Sequence, residues 1–155
     1  EMPRRRIAPI ARVVALLVLA GGCGKTPKEP PPPVVWRSLA EGEALARNEG
    51  RVALRHFGAD WSMADLEIER ETIASDEVRA ELRDWVVIKV DLTEDGRREV
   101  FQACDRFKIV GTPTTFAVDF ETGRELFRFN EAMPPPVLAK ALRDARARRT
   151  RPAAR

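Results

Sequence analysis

Ser62-Met63-Ala64-Asp65 follows Trp61 directly, and His56, the single histidine of the 155 residues, lies shortly before it. A hydroxyl, an imidazole and a carboxylate are the groups of a serine hydrolase, in which the imidazole takes the hydroxyl proton and amide donors hold the oxyanion. No oxyanion donor is identifiable in the sequence. Ser-x-x-Asp also resembles a helix start, where the serine oxygen accepts an amide N–H and an acid sits in the positively polarised first turn, worth ~1 kcal/mol without any catalysis. Two cysteines remain, Cys23 and Cys104. Cys104, in Phe101-Gln102-Ala103-Cys104-Asp105, reads as a small buried hydrophobe on a helix. The alternative is a single thiol that partners another protein, which requires exposure and a lowered pKa. One histidine, Cys104 and scattered acids form no metal-ligand spacing, and neither a metal nor a cofactor is expected.

These groups must be held by a small α/β body. Val34-Val35-Trp36 is a short strand candidate, and Leu39 to Asn48 is a helix stopped before Gly50. The run 52–57 reads as a buried strand broken at Gly58, so His56 belongs to the interior. Residues 62–82 are polar and helical, with a break near Ala74-Ser75 and a fresh first turn at Asp76-Glu77; their charges read as a solvated face. Residues 85–92 are the most apolar strand. A helix from about Asp95 to Phe107 follows. Then come strands over 114–120 and 125–129, joined across Glu121-Thr122-Gly123-Arg124, and a closing helix from Val137 to Arg146. Strands spaced by helices predict a parallel portion and the final hairpin an antiparallel one: a mixed central sheet flanked by helices over residues 35–146.

The N-terminal residues look like an address. Arg4, Arg5, Arg6 and Arg12 precede an apolar run over 13–20, and Gly21-Gly22-Cys23 follows. Basic, apolar and small residues in that order are the parts of a secretory signal. The uncharged stretch is about half of the ~20 residues a membrane-spanning helix needs. Leu19-Ala20-Gly21-Gly22-Cys23 also resembles the bacterial lipobox, with Ala20 where leucine is usual. That resemblance implies a signal peptide over 1–22 and a lipid on Cys23, which would attach the chain to a membrane; a non-lipidated signal is the alternative. Gly24, not the aspartate of inner-membrane lipoproteins, points to the outer membrane. The proline run Pro30–Pro33 makes 23–34 an extended spacer.

Net charge is +3, but the first 22 residues hold four arginines against one acid, and the last ten hold five arginines and no acid. The body between them is acidic overall, which excludes a nucleic-acid-binding domain, and 147–155 reads as a basic disordered tail.

Three patterns carry a family resemblance. Phe57-Gly58-Ala59-Asp60-Trp61-Ser62-Met63-Ala64-Asp65 resembles the thioredoxin strand-to-helix segment, aromatic-x-Ala-Asp/Glu-Trp-Cys-x-x-Cys. Glu67, Glu69, Thr72-Ile73 and Val78 continue as in the C-terminal periplasmic domain of DsbD-type thiol:disulfide interchange proteins. Val110-Gly111-Thr112-Pro113-Thr114 looks like the family's Gly-x-Pro-Thr loop, whose proline is cis. The resemblance implies a thioredoxin fold, with Ser62 at the nucleophilic cysteine and Asp65 at the resolving one. Disulfide exchange needs a thiolate to attack sulfur and a second thiol to release the mixed disulfide; neither is then present. It also implies His56 in place of the family's buried aspartate. An uncompensated buried imidazole or carboxylate is costly, so His56 and Asp65 are expected to form a buried polar pair; the alternative is that Asp65 caps its own helix while His56 stays neutral against apolar neighbours. The expected function is envelope-anchored binding of a polypeptide or protein partner through Trp61, Ser62, Thr112 and Pro113, without catalysis. The alternative is a DsbD-like interchange protein working through Cys104 or a partner's thiols.

Overall fold

In the computed structural model, residues 29–93 and 97–150 are described. Their order is β1 (Trp36–Arg37), α1 (Leu39–Asn48), β2 (Val52–Gly58), α2 (Met63–Glu67), a π-helical segment (Ile68–Ile73), α3 (Asp76–Glu81), a 3-10 turn (Leu82–Asp84), β3 (Val86–Asp91), α4 (Arg98–Phe107), β4 (Thr114–Asp119), β5 (Arg124–Phe129) and α5 (Pro135–Thr150). The sheet runs β1-β3-β2-β4-β5. β1 and β2 both pair with β3 in parallel, whereas β4 lies antiparallel to β2 and β5 antiparallel to β4.

With a neighbour on each edge and helices over both faces, β2 is buried along its whole length. Alternation along the strand divides the core. Val52 and Leu54 face Ile68, Ile73, Val78, Leu138 and Leu142, contributed by the helical segments after β2 and by α5. Ala53 and Phe57 face Ala46, Ala103, Phe116 and Ile88 on the side of α1 and α4. The same alternation sends the two polar residues of β2 to opposite faces, His56 with Leu54 and Arg55 with Phe57.

The helix starts are written locally. Ser38 and Glu41 form a capping box on α1, and the Ser75 hydroxyl accepts the Val78 amide at 3.3 Å, which fixes the break before α3. Gly123, at φ +70, makes the turn between β4 and β5.

Several boundaries differ from the sequence reading. β1 is Trp36–Arg37, set by pairing with Val87 and Ile88 and not by the apolar pair Val34-Val35. α4 is described from Arg98, since 94–96 lie outside the described residues. α5 continues past the expected end at Arg146 to Thr150. There Arg149 meets Asp119 at 3.3 Å and Glu121 at 3.0 Å, so the start of the expected basic tail is helical. Residues 1–28 and 151–155, with the expected signal peptide, Cys23 and most of the tail, lie outside the described residues. No described helix is long and apolar enough to cross a membrane.

Candidate functional site

The loop after β2 turns on one carboxylate. Ser62 caps α2 through its hydroxyl, which accepts the Asp65 amide at 3.4 Å. Asp65 does not complete a capping box; its side chain turns inward and is 1% exposed. Asp65 Oδ2 accepts the Ala59 amide at 3.2 Å and the Thr112 hydroxyl. The carboxylate thus ties the β2–α2 loop to the loop before β4, in which the Thr112–Pro113 peptide is cis. Trp61 on the first loop and Met63 at the start of α2 are 67% and 78% exposed, and Val110 on the second loop is 91% exposed. Three large apolar side chains therefore stand in solvent on or beside the two loops that Asp65 holds together.

Beneath Asp65 lies His56, fully buried. Its Nδ1 is 2.9 Å from the Thr115 hydroxyl, directly across the β2–β4 ladder. Its Nε2 lies 3.5 Å from Asp65 Oδ1 and 3.5 Å from Glu69 Oε1. Both distances are long, and neither Nε2 nor Asp65 Oδ1 has a hydrogen-bond partner. Glu69 also receives Lys89 Nζ at 2.8 Å. Glu69 is held below the ordinary carboxylate range, first by its contact with His56 and then by Lys89, against the opposing effect of burial. Gly58 closes the roof of this cluster. A Cβ at that position would lie 2.5 Å from His56 Nε2 and 2.9 Å from Asp65 Oδ1, so only glycine leaves room for the imidazole and carboxylate to face each other.

The structure brings His56 and Asp65 together, and it connects Thr112 to Asp65. Ser62 is not among the hydrogen-bond or ionic partners of His56, which removes the geometry a serine hydrolase would need. Glu69, Lys89 and Thr115 were not anticipated as members of the cluster. By sequence, the charged run after Ser62 reads as a solvated face. Glu69 departs from that reading because it shares the inward face of Ile68, Thr72 and Ile73 and reaches His56 on β2, where its side chain is 19% exposed. Thr115 could have been found only from the β2–β4 register.

Cys104, the single cysteine among the described residues, is free and half-buried, less enclosed than a core hydrophobe. Burial raises its thiol pKa, and Asp105 adds to the effect, the opposite of what a reactive thiol requires. No cluster of ligands that could hold a metal occurs among the described residues.

No family model matches the chain. A thioredoxin from Thermus thermophilus superposes with a TM-score of 0.65 at 22% identity, over 74% of this chain and 88% of that one. The C-terminal domain of Neisseria meningitidis DsbD in its oxidised form gives a TM-score of 0.59 at 16% identity, over 68% and 90%. The fold is that of thioredoxin. In sequence, the thiol:disulfide interchange protein DsbD of Actinobacillus pleuropneumoniae is 33% identical over 91 residues, covering 58% of this chain and 15% of that protein. DsbD of Ralstonia nicotianae is 35% identical over 79 residues, covering 51% and 13%. The chain is related to DsbD and spans only a small part, 13–15%, of the length of these relatives.

Proposed function

We propose that this thioredoxin-like, DsbD-related chain binds a polypeptide segment or protein partner on the loops bearing Trp61 and Pro113 and performs no dithiol–disulfide exchange. The observation that carries the reading is the exposure of Trp61, Met63 and Val110 on or beside two loops pinned together by a buried carboxylate. Exposed aromatic and methionine side chains beside a fixed backbone loop suit an extended polypeptide, which offers apolar side chains and main-chain amides together. With Ser62 and Asp65 taken at the two cysteine positions of the family, the attacking thiolate and the resolving thiol are both lacking. In the same reading, lipid on Cys23 attaches the chain to the cell envelope, at the outer membrane, with residues 23–34 as the spacer.

The alternative, an interchange role through Cys104, is disfavoured by the raised thiol pKa and partial burial of that residue. The redox half of the proposal is tested by reduction of insulin with wild-type protein and Cys104→Ala. No acceleration over dithiothreitol alone is expected from either. Activity lost in Cys104→Ala would transfer the function to that thiol, and activity surviving the substitution would contradict both readings. The binding half predicts capture of a thiol-free unfolded polypeptide that depends on Trp61.

A further inference from the structure

On the opposite face of β2 from His56, the strand buries a second charge. Arg55 is 3% exposed. Its Nη2 donates to Glu43 Oε1 at 2.6 Å, while its Nε has no hydrogen-bond partner. The guanidinium lies over three rings, with its carbon 4.4 Å from the centroid of Phe107, 5.2 Å from Phe120 and 5.5 Å from Phe116. Glu43 is buried too, and it also receives Arg106 at 3.1 Å and Arg47 at 3.9 Å. Three guanidinium groups thus share one carboxylate. Burial lowers the Arg55 pKa; Glu43 opposes that shift, and Arg106 and Arg47 add to it. The cluster is short of negative charge.

A groove of about 530 Å³ opens over this cluster, lined by the half-buried Phe107 and Phe120, with Phe116 buried in the core beside them, and bordered by Arg47, Arg55, Arg106, Lys108 and Arg128. The one acid on its lining, Glu125, is committed to Arg128 by bonds of 2.9 and 2.7 Å. Lys108 ends α4 and has no ion-pair partner among the described residues. Apolar floor, excess fixed positive charge and a volume within the ordinary range of small-molecule sites occur here together. The polar elements are not a loose surface patch, because the central cation is held in place by β2 and its unpartnered Nε is sealed from water.

We propose that this groove binds a small organic anion with a flat apolar body, an aryl carboxylate or aryl phosphate. The half-buried rings of Phe107 and Phe120 accept the flat body, Arg106 and Lys108 reach the anionic group directly, and Arg55 supplies a fixed charge behind the floor. The site lies on the other side of the sheet from the His56 cluster and does not depend on the polypeptide-binding reading.

The test is amide chemical-shift titration of the ¹⁵N-labelled protein with 1-naphthoate, 1-naphthyl phosphate, inorganic phosphate and the neutral 1-naphthalenemethanol. The two aryl anions should give saturable shifts at the end of α4 and in β4, and the other two compounds should bind at least about tenfold more weakly. Arg106→Ala and Lys108→Ala, both at exposed positions, should each weaken the aryl anions about fivefold or more while preserving the spectrum of the rest of the protein. Arg55→Met should abolish the site, and the two surface substitutions decide the matter if that variant does not fold. Absence of saturable shifts, equal binding of the neutral alcohol, or unchanged affinity in both surface variants would overturn the proposal and leave the arginine cluster a structural element of the core.

Discussion

Asp65 and Gly58 carry more of this molecule's local order than their size suggests. The Asp65 carboxylate joins two loops and faces an imidazole that is wholly removed from water. Gly58 leaves the gap in which that encounter takes place. Gly58→Ala should therefore displace the imidazole, the carboxylate or the strand end, and cost about 1–3 kcal/mol in urea unfolding. Wild-type stability in that variant would mean the cluster can open freely. The acid side of the pH profile has a separate test in Glu69, whose folded pKa lies below its ordinary value of 4.5. A carboxyl lowered in this way stabilises the fold fully above its unfolded pKa, and the contribution is lost as pH falls through the lower folded value. Unfolding free energies of Glu69→Gln should accordingly vary less with pH than those of wild type below about pH 4.5 and run parallel to them near neutrality. Parallel curves throughout would show that Glu69 gains nothing from its partners.

At the scale of elements, the π-helical segment Ile68–Ile73 faces the sheet with one side. It buries Ile68, Thr72 and Ile73 while presenting Glu69 to His56 and Lys89. Thr72 Oγ1 donates to the Met133 carbonyl at 2.6 Å, which joins the segment to the chain entering α5. Thr72→Val keeps the shape and removes the donor, leaving that carbonyl unsatisfied; a loss of about 1–3 kcal/mol in chemical denaturation is expected. A neutral result would mean that water replaces the hydroxyl. Ser38, Ser75, Gly50 and Gly123 announce element ends locally, and α1 over Leu39–Asn48 and the break before Asp76 are legible from them. Glu69 shares the inward face of Ile68, Thr72 and Ile73, but its charge hides it among the exposed Glu67, Arg70 and Glu71. Arg55 lay within the strand read as buried, but its partner Glu43 is twelve residues away on α1. Only the packing of α1 against the sheet joins them, helped by Gly42, where a side chain would strike Ile88.

For the whole molecule, one sheet separates two polar clusters of different character. On one face, His56 and Lys89 meet Asp65 and Glu69 beneath the Trp61 loop. On the other, Arg55, Arg47 and Arg106 gather on Glu43. The mixed order β1-β3-β2-β4-β5 makes both possible, because it places β2 at the centre with opposite faces under different helices. The resulting frame exposes Trp61, Met63 and Val110 at the loops that Asp65 joins, and this is the basis for reading the chain as a binder. The most direct measurement is fluorescence anisotropy of a labelled, fully reduced and alkylated polypeptide, which offers no thiol, titrated with wild-type protein and Trp61→Ala. Wild type should bind saturably, and Trp61→Ala should bind at least about tenfold more weakly, the loss of one aromatic anchor of ~1.4 kcal/mol or more. Equal affinity of the two proteins, or no binding by either, would contradict the account.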